Sequence, residues 1–521
     1  MRRFLIVSLV FVVLAIIAGA CRLTTEDETA NATPIAAIVK RLGGPEADGE
    51  TRLAFDKWGD IYIVGCFSGA VADLDGNGMY ETLGVGKCDA YVSKFDINGN
   101  FIWSKRFGGA EDDGKEWTIA VATDMGGNVY IAGSVNSTAD LNGDNDTDDP
   151  GELSSGTGND IFVTCFDKTG AFQWAKRIGG SGDEIGYSIA IGNGNLIYVV
   201  GASDNDVDIN GDGDTLDGGE SKSGYGSHDV IVLALTSSGE YVWSRRLGGT
   251  GTDFATSVAV SKDNHVYVTG CIMGDVDLNG DGSLSIFYPE KASQVNGPFD
   301  IFVSKFTAAG EFILAKRFGG LYADWPMYIM TDYDGNVYLT GYITHNADLD
   351  GNGAIGTEYP EYWAEPYGDR DTLLLKLSAD LTYTWAKRLG GPDPEGGCSI
   401  CCDIFGNVYL VAAIRRVCDL NGDGIIGNAN GELTSDAKYD IGVVKFNTNG
   451  IFQGSLRLGG SESDFGYSIL YGAGPALYLS GLVGGTADLD GDGNISQTAE
   501  TTVYGSEDAV LIKLDPSLLV P

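Results

Sequence analysis

Positive charge is scarce in this chain of 521 residues: 33 Lys and Arg stand against 73 Asp and Glu, a formal net charge of −40. That scarcity excludes nucleic acid as a partner, because phosphate binding needs clustered Lys and Arg. It equally excludes adhesion to anionic lipid through surface charge. Histidine occurs only as His228, His265 and His345, none in a repeated pattern. A His-based catalytic or zinc centre is therefore not expected. Gly-x-Ser-x-Gly, His-Glu-x-x-His and phosphate-loop signatures are missing. Helical apolar periodicity is missing too. Beyond residue 20 no apolar run is long enough to span a membrane as a helix.

What is abundant is glycine, with 77 residues and no collagen-like triplet. Hydrophobic residues at 43% supply enough material for real cores. Many short strands joined by tight turns is the expectation.

The first residues read as an address. A basic start (Arg2, Arg3) precedes an apolar run from Phe4 to Ala18, then Gly19, Ala20 and Cys21. The run is short for a membrane span and ends in small residues. It resembles a bacterial lipoprotein signal, which implies lipidation at Cys21. Residues 1–20 are then a signal peptide and 21–34 a polar tether.

The rest is one pattern repeated. Arg-x-Gly-Gly recurs at Arg41, Arg106, Arg177, Arg246, Arg317, Arg388 and Arg457, at spacings of 65 to 71 residues. An acid follows at the fourth position after the glycines: Asp48, Asp113, Glu184, Asp253, Asp324, Glu395 and Asp464. Next come an apolar stretch, a tight turn, and a second stretch centred on Tyr62, Tyr130, Tyr198, Tyr267, Tyr338, Tyr409 or Tyr478. That stretch ends in Gly, except at Ala412. A long polar insert leads to a third stretch opened by Asp89, Asp160, Asp229, Asp300, Asp371, Asp440 or Asp508. A fourth stretch such as FQWAKR returns to Arg-x-Gly-Gly.

These stretches are rich in Val, Ile, Tyr and Phe and bounded by Gly, Asn and Asp, which is strand chemistry. Four antiparallel strands per repeat, seven times over, predict an all-β, seven-bladed β-propeller over residues 35–515, followed by a short tail. The segment before Arg41 matches a fourth strand, and the last repeat has only three. The N-terminal strand should complete the last blade, closing the ring and removing its free edges.

The strand GNVYxxG, the strand DIFVSKF at Asp300–Phe306 and the W-A-K-R-x-G-G close resemble the bacterial SBBP family of β-propeller repeats. The resemblance implies a propeller and an exported protein, with no activity assigned.

Each insert carries Asp-x-[Asp/Asn]-Gly-[Asp/Asn]-[Gly/Asn], resembling the first half of an EF-hand loop and the loops of dockerin. Ca²⁺ takes 6–8 oxygens, and acids or amides at positions 1, 3 and 5 converge when Gly at position 6 allows a sharp turn. The candidate ligands are Asp73, Asp75 and Asn77; Asp140, Asn142 and Asp144; Asp208, Asn210 and Asp212; Asp277, Asn279 and Asp281. The remaining three sets are Asp348, Asp350 and Asn352; Asp419, Asn421 and Asp423; Asp488, Asp490 and Asp492. Up to seven calcium ions are expected. The bidentate Glu at position 12 of the EF-hand is missing. Nearby acids at variable distance are Glu81, Glu152, Glu220, Glu290, Glu358, Glu432 and Glu500. Asn145 replaces the position-6 Gly in the second copy. Weak affinity, ~10⁻⁴–10⁻³ M, is expected without the usual last ligand.

Strands of a meander alternate in direction, so the inserts and the Gly-Gly loops should share one face of the ring. That elaborated, acidic face is the expected interaction surface. Arg before x-Gly-Gly and the recurring acids are expected to form ion pairs or to accept backbone N–H bonds. Trp103, Trp174, Trp243 and Trp385 are expected to pack between blades. Cys66 and Cys88, at adjacent strand ends, can form a disulfide. A second disulfide is expected within Cys398, Cys401, Cys402 and Cys418.

Two function classes follow. The first is a monomeric, lipid-anchored scaffold of the bacterial cell envelope that binds protein or glycan through its calcium-bearing face. It would touch the membrane only through Cys21. The alternative is a propeller enzyme, a polysaccharide lyase or hydrolase or a quinoprotein-like oxidoreductase, with its site at the central channel mouth.

Overall fold

A computed structural model describes residues 38–519 apart from 111–117, 150–151, 153–157, 211–214, 216–219, 221–225, 288, 293–296, 359, 363–367, 427–431, 473 and 496–497, and omits the side chains of 432–437 and 498. The stretches expected to be signal peptide and tether, with Cys21, lie outside the described residues. So do Asp113, Asp212 and the side chain of Glu432.

Seven antiparallel sheets form the blades of a propeller. The fourth blade is representative: Phe254–Val260, Val266–Ile272, Asp300–Phe306 and Phe312–Gly320, each strand paired with the next. First strands of neighbouring blades touch around the whole circle, and Asp464–Gly472 of the last blade meets Arg52–Phe55 of the first. The N-terminal strand Ile38–Leu42 runs antiparallel to Asp508–Leu514, with Leu42 opposite Ala509, and supplies the outer strand of the seventh blade. The ring is closed as the incomplete last repeat requires. Among the described residues no helix is long and apolar enough to cross a membrane.

The cores lie between blades. Val230, Val232 and Leu247 of the third blade pack with Val258, Val266 and Val268 of the fourth, and equivalent clusters recur around the ring. Three recurring residues explain how the interfaces are fixed. The strand-two tyrosines are buried, and a buried hydroxyl needs a partner. Tyr62, Tyr130, Tyr338 and Tyr409 donate to Asp56, Asp124, Asp332 and Asp403 in their own first turns. Where that turn opens with Ser261 in place of Asp, Tyr267 instead donates to the Ala379 carbonyl at 2.9 Å. The tryptophans do pack between blades. Nε1 of Trp103, Trp174, Trp243 and Trp385 donates to the carbonyls of Lys168, Ser237, Ala308 and Thr448, each in the turn of the next blade.

The sixth blade departs from the pattern. Its second and third strands extend to Val408–Asp419 and Glu432–Phe446, so part of its insert is a strand extension.

Candidate metal loops on the insert-bearing face

The first Asp of every insert pairs by backbone with the first Gly of the preceding Arg-x-Gly-Gly. Short ladders join Asp140 to Gly108, Asp208 to Gly179, Asp277 to Gly248, Asp348 to Gly319 and Asp488 to Gly459. Single bridges join Asp73 to Gly43 and Asp419 to Gly390. Inserts and Gly-Gly loops therefore share one end of the ring, and each insert is stitched to the outer strand of the blade before it. Position 2 of the motif anchors the loop: Leu74, Leu141, Ile209, Leu278, Leu349, Leu420 and Leu489 are all buried. The Lys of W-A-K-R reaches over from the preceding blade. Lys176, Lys316 and Lys387 donate to the carbonyls of Asn210, Gly351 and Gly422.

Loop geometry follows from the short polar side chains. In the first insert Asp73 Oδ1 accepts from Gly76 N and Oδ2 from Gly78 N, both at 2.7 Å. Asp75 Oδ1 accepts from Asn77 N, and Asn77 Oδ1 from Met79 N. The same sequence of bonds runs through Asp277, Asn279 and Asp281, through Asp348, Asp350 and Asn352, and through Asp488, Asp490 and Asp492. Asp419, Asn421 and Asp423 follow it as well. The position-6 residue has positive φ, 93° at Gly78 and 74° at Asn145. Asn is among the few side chains that tolerate this region, which accounts for the exception.

Among the described residues a glutamate closes six of the loops. Carboxylates of Glu81, Glu152, Glu220, Glu361 and Glu500 accept the position-2 N–H of their loops, at 2.7–3.1 Å. Glu290 instead accepts from Asn279 Nδ2 at 3.0 Å. The fifth insert corrects the expectation: Glu361, not Glu358, turns inward. The Glu361 carbonyl takes the Ala347 N–H, while Glu358 starts a turn to Tyr362 and is exposed.

Among the described residues, acids gather with their ligand atoms all within 4.8 Å of one another in four inserts. They are Asp73, Asp75 and Glu81; Asp348, Asp350 and Glu361; Asp488, Asp490 and Asp492; and, in the second insert, Asp144, Asp146 and Asp149. The second insert is thus shifted from the expected set. Asp140 is taken by Arg106 at 3.2 Å, and Asn142 donates to Asp149 at 2.6 Å. Burial, and after it the neighbouring carboxylates, push acids of the inserts up, Asp348 to about 6 and Glu81, Glu152, Glu290, Asp277 and Asp488 upward. Clustered hard oxygens of this kind fit a Ca²⁺ donor set better than Mg²⁺, which keeps its waters.

The other recurring charges hold the blades. Every Arg of Arg-x-Gly-Gly pairs with the Asp that opens strand three of its own blade, from Arg41–Asp508 at 2.9 Å to Arg457–Asp440 at 2.7 Å. The loop acids accept backbone N–H bonds, as when Asp324 takes those of Gly320 and Thr344 at 2.7 Å each. Cys66 and Cys88 form a disulfide with Cα atoms 5.9 Å apart. The second expected disulfide is not formed: Cys398, Cys401, Cys402 and Cys418 are free thiols. Cys401 faces the core between sixth and seventh blades and Cys402 that between fifth and sixth, so neighbours on one strand point apart.

Residues 242–271 match the SBBP family, a β-propeller repeat. The chain is 23% identical over 455 residues to the regulatory protein FlaEY of Caulobacter vibrioides, covering 82% of this chain and 42% of that protein. It is 21% identical over 390 residues to an uncharacterized WD repeat-containing protein of Acanthamoeba polyphaga mimivirus, covering 65% and 27%. The chain thus spans less than half the length of these curated relatives. Similar solved structures include a protein of unknown function from Dyadobacter fermentans, with TM-score 0.39, 11% identity and coverage of 92% and 98%. Another is Sqt1 from Chaetomium thermophilum, with TM-score 0.40, 10% identity and coverage of 92% and 100%. The repeat match and the seven-bladed ring define a β-propeller repeat protein, a fold compatible with a protein-interaction role.

Proposed function

We propose that this protein is an exported, lipid-anchored, monomeric scaffold whose insert-bearing face binds calcium and, through it, a protein or glycan partner. One observation carries the reading: the same acidic loop, with the same buried anchor and the same backbone pairing, is built at one place in each of seven blades. Turn-making alone does not require carboxylate or amide oxygens at positions 1, 3 and 5 together with an inward glutamate. Calcium would be held by the four gathered sets and by their equivalents in the other inserts. It would offset charge on a chain at −40 and order the face. Lipid anchoring rests on the run from Phe4 to Cys21.

The test is isothermal titration of chelator-stripped protein with Ca²⁺, with a thermal melt at each end point. Several equivalents bound and a raised melting temperature are expected. No heat at millimolar Ca²⁺ would reduce the loops to polar turns and remove the basis of the reading.

A further inference from the structure

A cavity of about 620 Å³ opens in the central channel at the insert-bearing end, walled by strands of the first and the third to seventh blades. Its lining does not follow the repeat. Positions that hold the fold together recur sevenfold, whereas the residue before the Asp of strand three runs Cys88, Asn159, His228, Phe299, Arg370, Tyr439 and Glu507. The scaffold does not dictate what stands there.

The lining is aromatic on both sides. Phe254 packs on Trp325 with ring centroids 4.8 Å apart, and Trp325 lies nearly parallel to Tyr342, at 14°. Tyr439 and Phe465 form a second wall at 5.4 Å. In an acidic protein, the cations of this lining are two arginines. Arg370 holds its guanidinium 5.0 Å above the Tyr342 ring. Arg52 donates to the carbonyls of Thr51 and Tyr467 and pairs with Glu50 at 3.5 Å.

Arg52 also stands where four other blades place a serine with a structural task. Ser188, Ser257, Ser399 and Ser468 each accept an N–H from the first strand of the next blade. The first blade gives up that stitch and sets a guanidinium at the channel instead. Arginine is suited to planar carboxylates and to aromatic faces. The volume falls within the ~300–1,000 Å³ of small-molecule sites.

We propose that the channel mouth binds a small organic anion: a carboxylate carried on a ring body that presents an apolar face. The ring lies against the Phe254–Trp325–Tyr342 wall, and Arg370, over the Tyr342 ring, takes the carboxylate, with Arg52 the second cation of the lining. The ring can be that of an aromatic acid or the apolar face of a sugar acid.

The test is titration of the full chain, in millimolar Ca²⁺, with naphthoate, trigalacturonate and the neutral naphthalenemethanol. One equivalent of naphthoate or trigalacturonate should bind, and which of them does identifies the source of the ring. Arg370→Gln should weaken that binding about tenfold or more, because a hydrogen-bonded charge is lost. If naphthoate is the ligand, the neutral alcohol should be weaker by a similar factor. Trp325→Leu should weaken binding as well; if that variant does not fold, the exposed Arg370→Gln decides alone, its melting temperature serving as control. The proposal is overturned if neither acid binds, if Arg370→Gln leaves affinity unchanged, or, where naphthoate binds, if the alcohol binds as tightly.

Discussion

Arg317 has no exposed surface, and Nε and Nη2 of its guanidinium donate to Asp300 Oδ2 at 2.8 and 2.6 Å. Its Nη1 donates to the Gly274 carbonyl inside its own insert. Removing one partner of such a pair strands a buried charge, at a cost of about 3–5 kcal/mol. Arg317→Met should therefore lower the denaturant midpoint sharply, and adding Asp300→Leu should recover part of the loss. The loop acids set a second residue-scale property. Burial pushes Glu184 and Glu395 up to about 8 and Asp253 and Asp464 up to about 7, against the N–H bonds they accept. A carboxyl raised in the folded state stabilises fully below its unfolded value of about 4 and loses that contribution as pH rises through its folded value. In chelator, the melting temperature should fall between pH 5 and pH 8, and Glu395→Gln should flatten that slope. A melting temperature that rises toward pH 8 would contradict this.

At the scale of one element, the insert loop is a short device with five working parts: a paired Asp, a buried Leu or Ile, Asx turns, positive-φ glycines and a returning glutamate. Much of it is legible in sequence, because carboxylates at alternate positions with Gly between them leave few backbone choices. The returning glutamate was only partly so: Glu81, Glu152, Glu220, Glu290 and Glu500 were legible as acids near their inserts, but their spacing did not mark them as the closing residue. It lies twelve or thirteen residues after the first Asp in most inserts but eight in the first, so EF-hand spacing does not find it. Only the backbone bond that brings it back to the strand identifies Glu361 over Glu358. Arg106 on Asp140 was equally illegible, since nothing in the sequence marks that insert Asp as a partner of the Arg beside the one that opens strand three. The contacts of the Lys in W-A-K-R depend on the loop of the next blade, which the sequence does not place beneath it. The choice of glutamate is testable: Glu361→Gln should remove about one calcium equivalent by titration, while Glu358→Gln should leave the stoichiometry unchanged.

For the whole molecule, the ring and its closure were legible because the repeat length is regular and the two ends are complementary. The aromatic channel mouth was not, because it depends on which residues of distant blades face one axis. Closure has a mechanical consequence. Without Ile38–Leu42 the strand Asp508–Leu514 is an open edge, and such edges pair with other chains. Deleting residues 38–42 should turn a monomeric elution profile into aggregates, and a peptide spanning residues 35–44 should restore the monomer. The proposed calcium loop recurs around one face of the ring. Native mass spectrometry of the chain after chelation and return to millimolar Ca²⁺ counts the ions directly. The account predicts a series of calcium adducts up to seven, lost one at a time as position-1 residues such as Asp348 and Asp488 are changed to Ala; a bare chain mass at millimolar Ca²⁺ would contradict it.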